Sequence, residues 1–428
     1  MRLYDKFSGS RYRNCLGSID FGIAGDSHGE AILQSDNLKS GLCAALVVGA
    51  LALGSMPAES AVPSTVRLVE VDPSALIIDQ YHYVSPEAKA RMSERPFDVG
   101  LNFHNSGGPS MGREQLQIGV MGYDLLRKGD ATQFTFAAPS SFDHFQYYGI
   151  SEMQPLDDDG TVAHADFAFA RANPVGTRIR GHAETAQLSV SHPIIRGDVE
   201  SLYFTGSVDE TDTTNALSGK LLANERVRSL RLSGIYRVTT PVDHFTLSGI
   251  ASFGFQALGA RVNPAVANAA YAKFTLRGGY ERQLEPDWAL RLNAEGQYSF
   301  DRLPVSELHL LGGRDYGRAY SFASLLGDSA IAGSAEIAWQ PHAFPVSELQ
   351  GSEFYGFVDS GRTWYHARLR LPSRDADLTS AGAGIRIAVG PVLLLQLEAA
   401  DPLTAVNSVT GAAAAGNWRF NVSLRARY

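Results

Sequence analysis

The stretch Trp288–Phe300, WALRLNAEGQYSF, decides the fold. Trp288, Leu290, Leu292, Ala294, Gly296, Tyr298 and Phe300 share one face of an extended strand, and Arg291, Asn293, Glu295, Gln297 and Ser299 share the other. In water such an apolar face needs a covering layer. In a membrane barrel it faces lipid, and the polar face lines a wet lumen. The same stripe returns at Phe245, Leu247, Gly249, Ala251, Phe253 and Phe255, and again at Ile331, Gly333, Ala335, Ile337 and Trp339. In the C-terminal WRFNVSLRARY, Trp418, Phe420, Val422, Leu424, Ala426 and Tyr428 alternate with Arg419, Asn421, Ser423, Arg425 and Arg427. Arginines this close together are costly against lipid and tolerated in a lumen.

Working outward from these stripes, the alternation predicts strands over 97–105, 112–122, 130–138, 142–153, 161–171, 183–192, 199–208, 226–237, 243–257, 271–284, 288–300, 330–341, 353–364, 381–389, 391–400 and 418–428. The set is even, as a single-chain bacterial barrel requires. The connections alternate in length. At one end lie 172–182, 209–225, 258–270, 301–329, 365–380 and 401–417; at the other lie 193–198, 238–242, 285–287 and Gly390, with 342–352 as the exception. Long outer loops and short periplasmic turns mark outer-membrane barrels. The expected fold is therefore all-β, a 16-stranded antiparallel transmembrane barrel from 97 to 428. A water-soluble β-sandwich is the main competitor, and one-sided long loops argue against it.

Composition agrees. Charged residues are 19% of the chain, below the roughly 25% of soluble proteins, and hydrophobic residues are 44%. The net charge of −8 and the lack of a basic cluster give no nucleic-acid surface. Cys15 and Cys43 both precede the body, which leaves it without a disulfide or a cysteine metal site. No apolar run reaches the roughly 18 residues of a transmembrane helix. Residues 38–61, with Lys39 ahead of the apolar run Leu42–Leu53 and small residues after it, match a signal peptide. Residues 1–37 carry no readable pattern. They are expected to be a misplaced start, with a long natural leader as the alternative. Residues 62–96 are expected to be a short periplasmic segment.

Four places resemble the barrel of two-partner secretion transporters (the TpsB family of haemolysin secretion and activation proteins, within the POTRA-transporter superfamily). Asn105, Gly107, Gly112 and Arg113 are similar to that family's first hairpin. Arg318, Ala319 and Tyr320, followed by Gly327 and Asp328, resemble its long sixth outer loop. Phe357, Asp359 and Gly361 resemble its Phe-x-Asp-x-Gly strand. Trp418, Phe420 and Tyr428 resemble a C-terminal insertion signal. The resemblance implies that the sixth loop folds into the lumen and that Arg318 pairs with Asp359, a carboxylate able to grip a guanidinium by two hydrogen bonds. It also implies insertion by barrel-assembly machinery, an outer-membrane lipid setting, and a secreted polypeptide partner of haemolysin or adhesin type. Two departures stand out. Ala319 occupies a position where the family has glycine, and the 62–96 segment is too short for two POTRA domains, so it is a remnant at most.

A POTRA-less porin or an assembly-accessory barrel is the alternative function. An enzyme is not expected: Gly327-Asp328-Ser329 matches an esterase tripeptide only superficially, and no cofactor or metal motif is present.

Overall fold

The computed structural model describes residues 96–341, 349–368, 373–390, 392–404 and 417–427. The expected leader 1–37, the signal peptide 38–61, nearly all of 62–96 and Tyr428 lie outside the described residues.

The ring opens with β1 Phe97–His104, β2 Gln115–Tyr123, β3 Ala131–Pro139 and β4 Phe145–Pro155. It continues through β5 Val162–Ala172, β6 Ile179–Arg196, β7 Glu200–Leu217 and β8 Lys220–Thr239. Next come β9 Asp243–Gly254, β10 Tyr271–Glu285 and β11 Trp288–Ser299. A long connection follows and carries the short pair β12 His309–Leu311 and β13 Leu325–Gly327. The ring is completed by β14 Ser329–Trp339, β15 Glu353–Tyr365, β16 Arg374–Val389, β17 Leu393–Pro402 and β18 Arg419–Arg427. Every barrel neighbour is antiparallel, and β18 returns to β1, so the barrel of sixteen strands is closed. Closure pairs the strand backbones inside the sheet, which a lipid setting demands.

The alternation behaves as the sequence predicts. On β11, Trp288, Leu292 and Tyr298 are exposed, while Arg291, Gln297 and Ser299 are buried. Aromatic rings collect at both ends of the outer wall. Trp339 stacks on Phe354 at 5.7 Å near the inner rim, and Tyr298 meets Phe300 edge-on at 4.7 Å near the outer one. Trp339 and Tyr298, each with one polar and one apolar side, suit such interfaces, and their phenylalanine neighbours lie on the apolar side.

Three expectations need correction. The expected loop at 209–225 is almost wholly strand: β7 and β8 run on to a two-residue turn at Ser218 and Gly219, both with positive φ. That is the turn that suits the twist of a tight hairpin. Strand β16 likewise starts at Arg374, inside the expected 365–380 loop, and β6 starts at Ile179, inside 172–182. These outer extensions lie beyond the lipid band, so neither face has to be apolar, and the alternation that marks a lipid-facing strand fades there.

Candidate functional site: the loop folded into the lumen

The connection from Phe300 to Asp328, loop six, turns back into the barrel. Leu303, Leu311, Tyr320 and Leu325 are all nearly fully buried. The inward positions of β14 are small, including Ala330, Ala332, Ser334 and Ala338, and they leave room for it. Gly361 does the same on β15: a Cβ there would lie 2.6 Å from Leu311 Cδ1. The Phe-x-Asp-x-Gly spacing has period two, so Phe357, Asp359 and Gly361 all face this loop.

The tip is a β-turn closed by the Tyr320 amide donating to the Gly317 carbonyl at 2.8 Å. Positive φ falls on Gly317, Gly312 and Gly313, and not on Ala319. Alanine is therefore accommodated at 319 without backbone strain. Asp359 holds the tip through its backbone, accepting from the Gly317 amide at 2.7 Å, and Ser380 Oγ donates to the same oxygen at 2.5 Å.

Arg318 meets three carboxylates. Its Nε lies 3.2 Å from Asp359 Oδ2, and its Nη1 lies 3.3 Å from Glu336 and 3.1 Å from Glu398. The guanidinium stacks over Phe357 with Cζ 3.7 Å from the ring centre, an arrangement favoured by the ring quadrupole. The structure thus brings Arg318 to Asp359 but not in the two-bond grip. Nε is not aligned for a hydrogen bond, and the attraction is Coulombic. The ladder goes on. Arg386 bridges Glu336 and Glu353, and Arg291 contacts Glu353, Glu336 and Glu281 at 2.8, 2.9 and 3.3 Å. Charges this deep persist because each has an opposite partner.

Two further anchors fix the loop. Asp328, at its exit, accepts from the Leu303 and His366 amides at 2.7 Å each, and Arg368 Nη2 donates to both carboxylate oxygens. Gly327 is needed beside it, since a Cβ there would lie 2.5 Å from the Ser329 carbonyl oxygen. Ser329 Oγ is engaged with the Ser299 backbone. The Gly-Asp-Ser tripeptide therefore serves the loop base. Glu307, at a 3-10 turn, contacts Arg231 of β8 and Lys273 of β10 at 2.9 Å each. Burial opposes ionisation of Glu307, yet those two cations hold its carboxyl below the ordinary range.

The first-hairpin residues lie elsewhere. Asn105 spans the junction of β1 and β18: its Nδ2 donates to the Phe420 carbonyl at 2.8 Å, and its Oδ1 accepts from the Val422 amide at 2.9 Å. Gly107 and Gly112 shape the turn, because a Cβ on Gly107 would lie 2.4 Å from the Gly112 carbonyl oxygen. Arg113 is exposed and does not join the Arg318 cluster. Trp418 and Phe420 point outward at 58% and 69% exposure, which puts them on the lipid face.

A sequence model of the haemolysin secretion/activation proteins ShlB/FhaC/HecB matches residues 89–387. The chain belongs to the ShlB/FhaC/HecB family. As a member, it is a barrel of the Gram-negative outer membrane. The outer membrane transporter CdiB of Dickeya dadantii (strain 3937) is 25% identical over 330 residues, covering 70% of this chain and 55% of that protein. CdiB from Escherichia coli superposes with a TM-score of 0.65 at 18% identity, covering 78% of this chain and 63% of that one. BamA from Haemophilus ducreyi lacking POTRA domains 1–3 gives 0.55 at 11% identity, over 78% and 70%. The two superpositions are likenesses of fold. The chain spans little more than half the length of the curated relative it matches.

Within this family member, Glu307, Arg231, Lys273, Glu336, Glu398 and Arg368 escaped the sequence motifs. One of them left a trace: Glu336 is the lone charge among the small inward residues of β14. For the others, strand alternation gives the face but not the partner across the lumen.

Proposed function

We propose that this barrel moves a secreted polypeptide across the outer membrane, as the transporting half of a two-partner secretion pair. The observation that carries the reading is the plug: loop six, held inside the lumen by Arg318 among Asp359, Glu336 and Glu398. A general porin needs a standing aqueous pore, whereas an exporter needs a pore that stays shut until cargo arrives. Phe357, Asp359 and Gly361 form the wall site that receives the loop, and Asp328 clamps its base. Trp418 and Phe420 serve as part of the insertion signal for barrel-assembly machinery.

Single-channel recording in planar bilayers tests this. The wild-type barrel should give low, flickering current. Arg318→Ala should raise the open fraction about tenfold or more, since losing one partner of a buried ion cluster costs about 3–5 kcal/mol. A steady, fully open level in the wild type would support a porin instead.

A further inference from the structure

The lumen wall has two sectors of different chemistry. From β8 round to β18, the inward positions carry the charges that hold loop six. From β2 to β7 they carry mostly amides, hydroxyls and small residues, among them Gln117, Gln133, Ser151, Thr185, Gln187 and Ser207, with the larger Met121, Phe145 and Met153 toward the strand ends. Their outward neighbours Phe134, Ile150, Leu188 and Val208 are exposed to the lipid side, which fixes the inward sense. Among the described residues, the acidic and histidine side chains facing in from this sector are His164, Asp166 and Asp209. Asp209 is already bound, to Arg231 at 3.0 Å and to Gln187.

Loop six is built to match. Its charged anchors Glu307, Arg318 and Asp328 bind β8, β10, β14, β15, β17 and the segment after β15. Toward the β2–β7 sector it turns Leu310, Phe322, Ala323 and Leu326, which pack with Phe145, Ala170 and Ala183 of β4–β6. Each such contact between apolar atoms is weak and re-forms freely, whereas a buried ion cluster resists separation. The loop is bolted on one side by ion clusters and meets the other through an apolar seam.

We propose that an extended polypeptide crosses the barrel between loop six and the inner face of β2–β7, and that the loop parts from the wall at the apolar seam of Ala170, Ala183 and Ala323. This rests on the transport reading above. A wall of hydroxyls and amides offers a passing backbone hydrogen bonds that water offers equally, so no segment is held for long. A wall of bare charges would trap segments of opposite sign.

The test uses the full chain with Cys15 and Cys43 replaced by serine. Thr185→Cys, in the proposed path, and Asn293→Cys, on the charged sector, are labelled after assembly with a quaternary-ammonium thiol reagent, so folding precedes the added charge. The probe is a synthetic Gly/Ser/Asn peptide carrying spaced lysines, and the readout is its block of single-channel current. The label at position 185 should slow peptide entry about tenfold at low ionic strength, with the effect shrinking in high salt; the label at 293 should leave entry unchanged. An equal or larger effect at 293, or none at 185, overturns the path and leaves transport standing. Absence of block in the unlabelled protein overturns the transport reading and the path with it. As a second arm, an Ala183→Cys and Ala323→Cys pair, once oxidised, should abolish block until reduced; block that continues through the disulfide overturns the seam.

Discussion

Arg318 serves three carboxylates and an aromatic face with one planar group. Lysine offers a point charge with no face to stack, so Arg318→Lys should fall between wild type and Arg318→Ala in the temperature at which the folded barrel is lost on heat-shift gels. Asp359→Arg should impair assembly more severely, and adding Arg318→Asp should restore part of it; no change in either would refute the pairing. Glu307 gives a test by pH. Its folded carboxyl titrates below the ordinary value near 4.3, so its contribution is complete above that value and is lost as pH falls through the lower folded one. Opening of the plug should therefore rise only in acid, below about pH 4, and Glu307→Gln should open more at neutral pH with a flattened acid response. The identity of the tip was legible in the sequence because it is a compact local motif. The company it keeps was not: Glu398 lies 80 residues from Arg318, and nothing local marks it.

At the scale of elements, the strands inside the lipid band could be placed to within a few residues, because lipid on one side and water on the other enforce period two. Above the band that pressure ends, so alternation does not mark the outer half of β7 and the first turn-proximal residues of β8. Their tip depends on Ser218 and Gly219 at φ 50 and 82. Gly219→Val should cost on the order of 1–3 kcal/mol of backbone strain. Hydrogen exchange should show fraying confined to the ends of β7 and β8, with the rest of the barrel as protected as before; general loss of protection would contradict a locally stabilised hairpin.

For the molecule as a whole, the closed ring was readable from the even count of strands and the one-sided loops. The division of the lumen into a charge-rich and a charge-poor sector was not, since it appears only once the strands are placed around a circle. Among the described residues the ring closes through a short join. β1 and β18 match from Gly100↔Arg427 to His104↔Ser423, whereas β1 and β2 match along the whole of β1. Removing β18 should leave a chain that shows no heat-shifted folded band, even with fifteen barrel strands still encoded.

Asn105 adds two rungs beyond that join, to Phe420 and Val422, more than three hundred positions away in the sequence. Both bonds lie just past the outer end of β1, so the seam of the ring is clasped by a side chain as well as by the two backbones. A tear in the cylinder that starts at the outer rim must break this clasp before it can reach the first rung of the ladder.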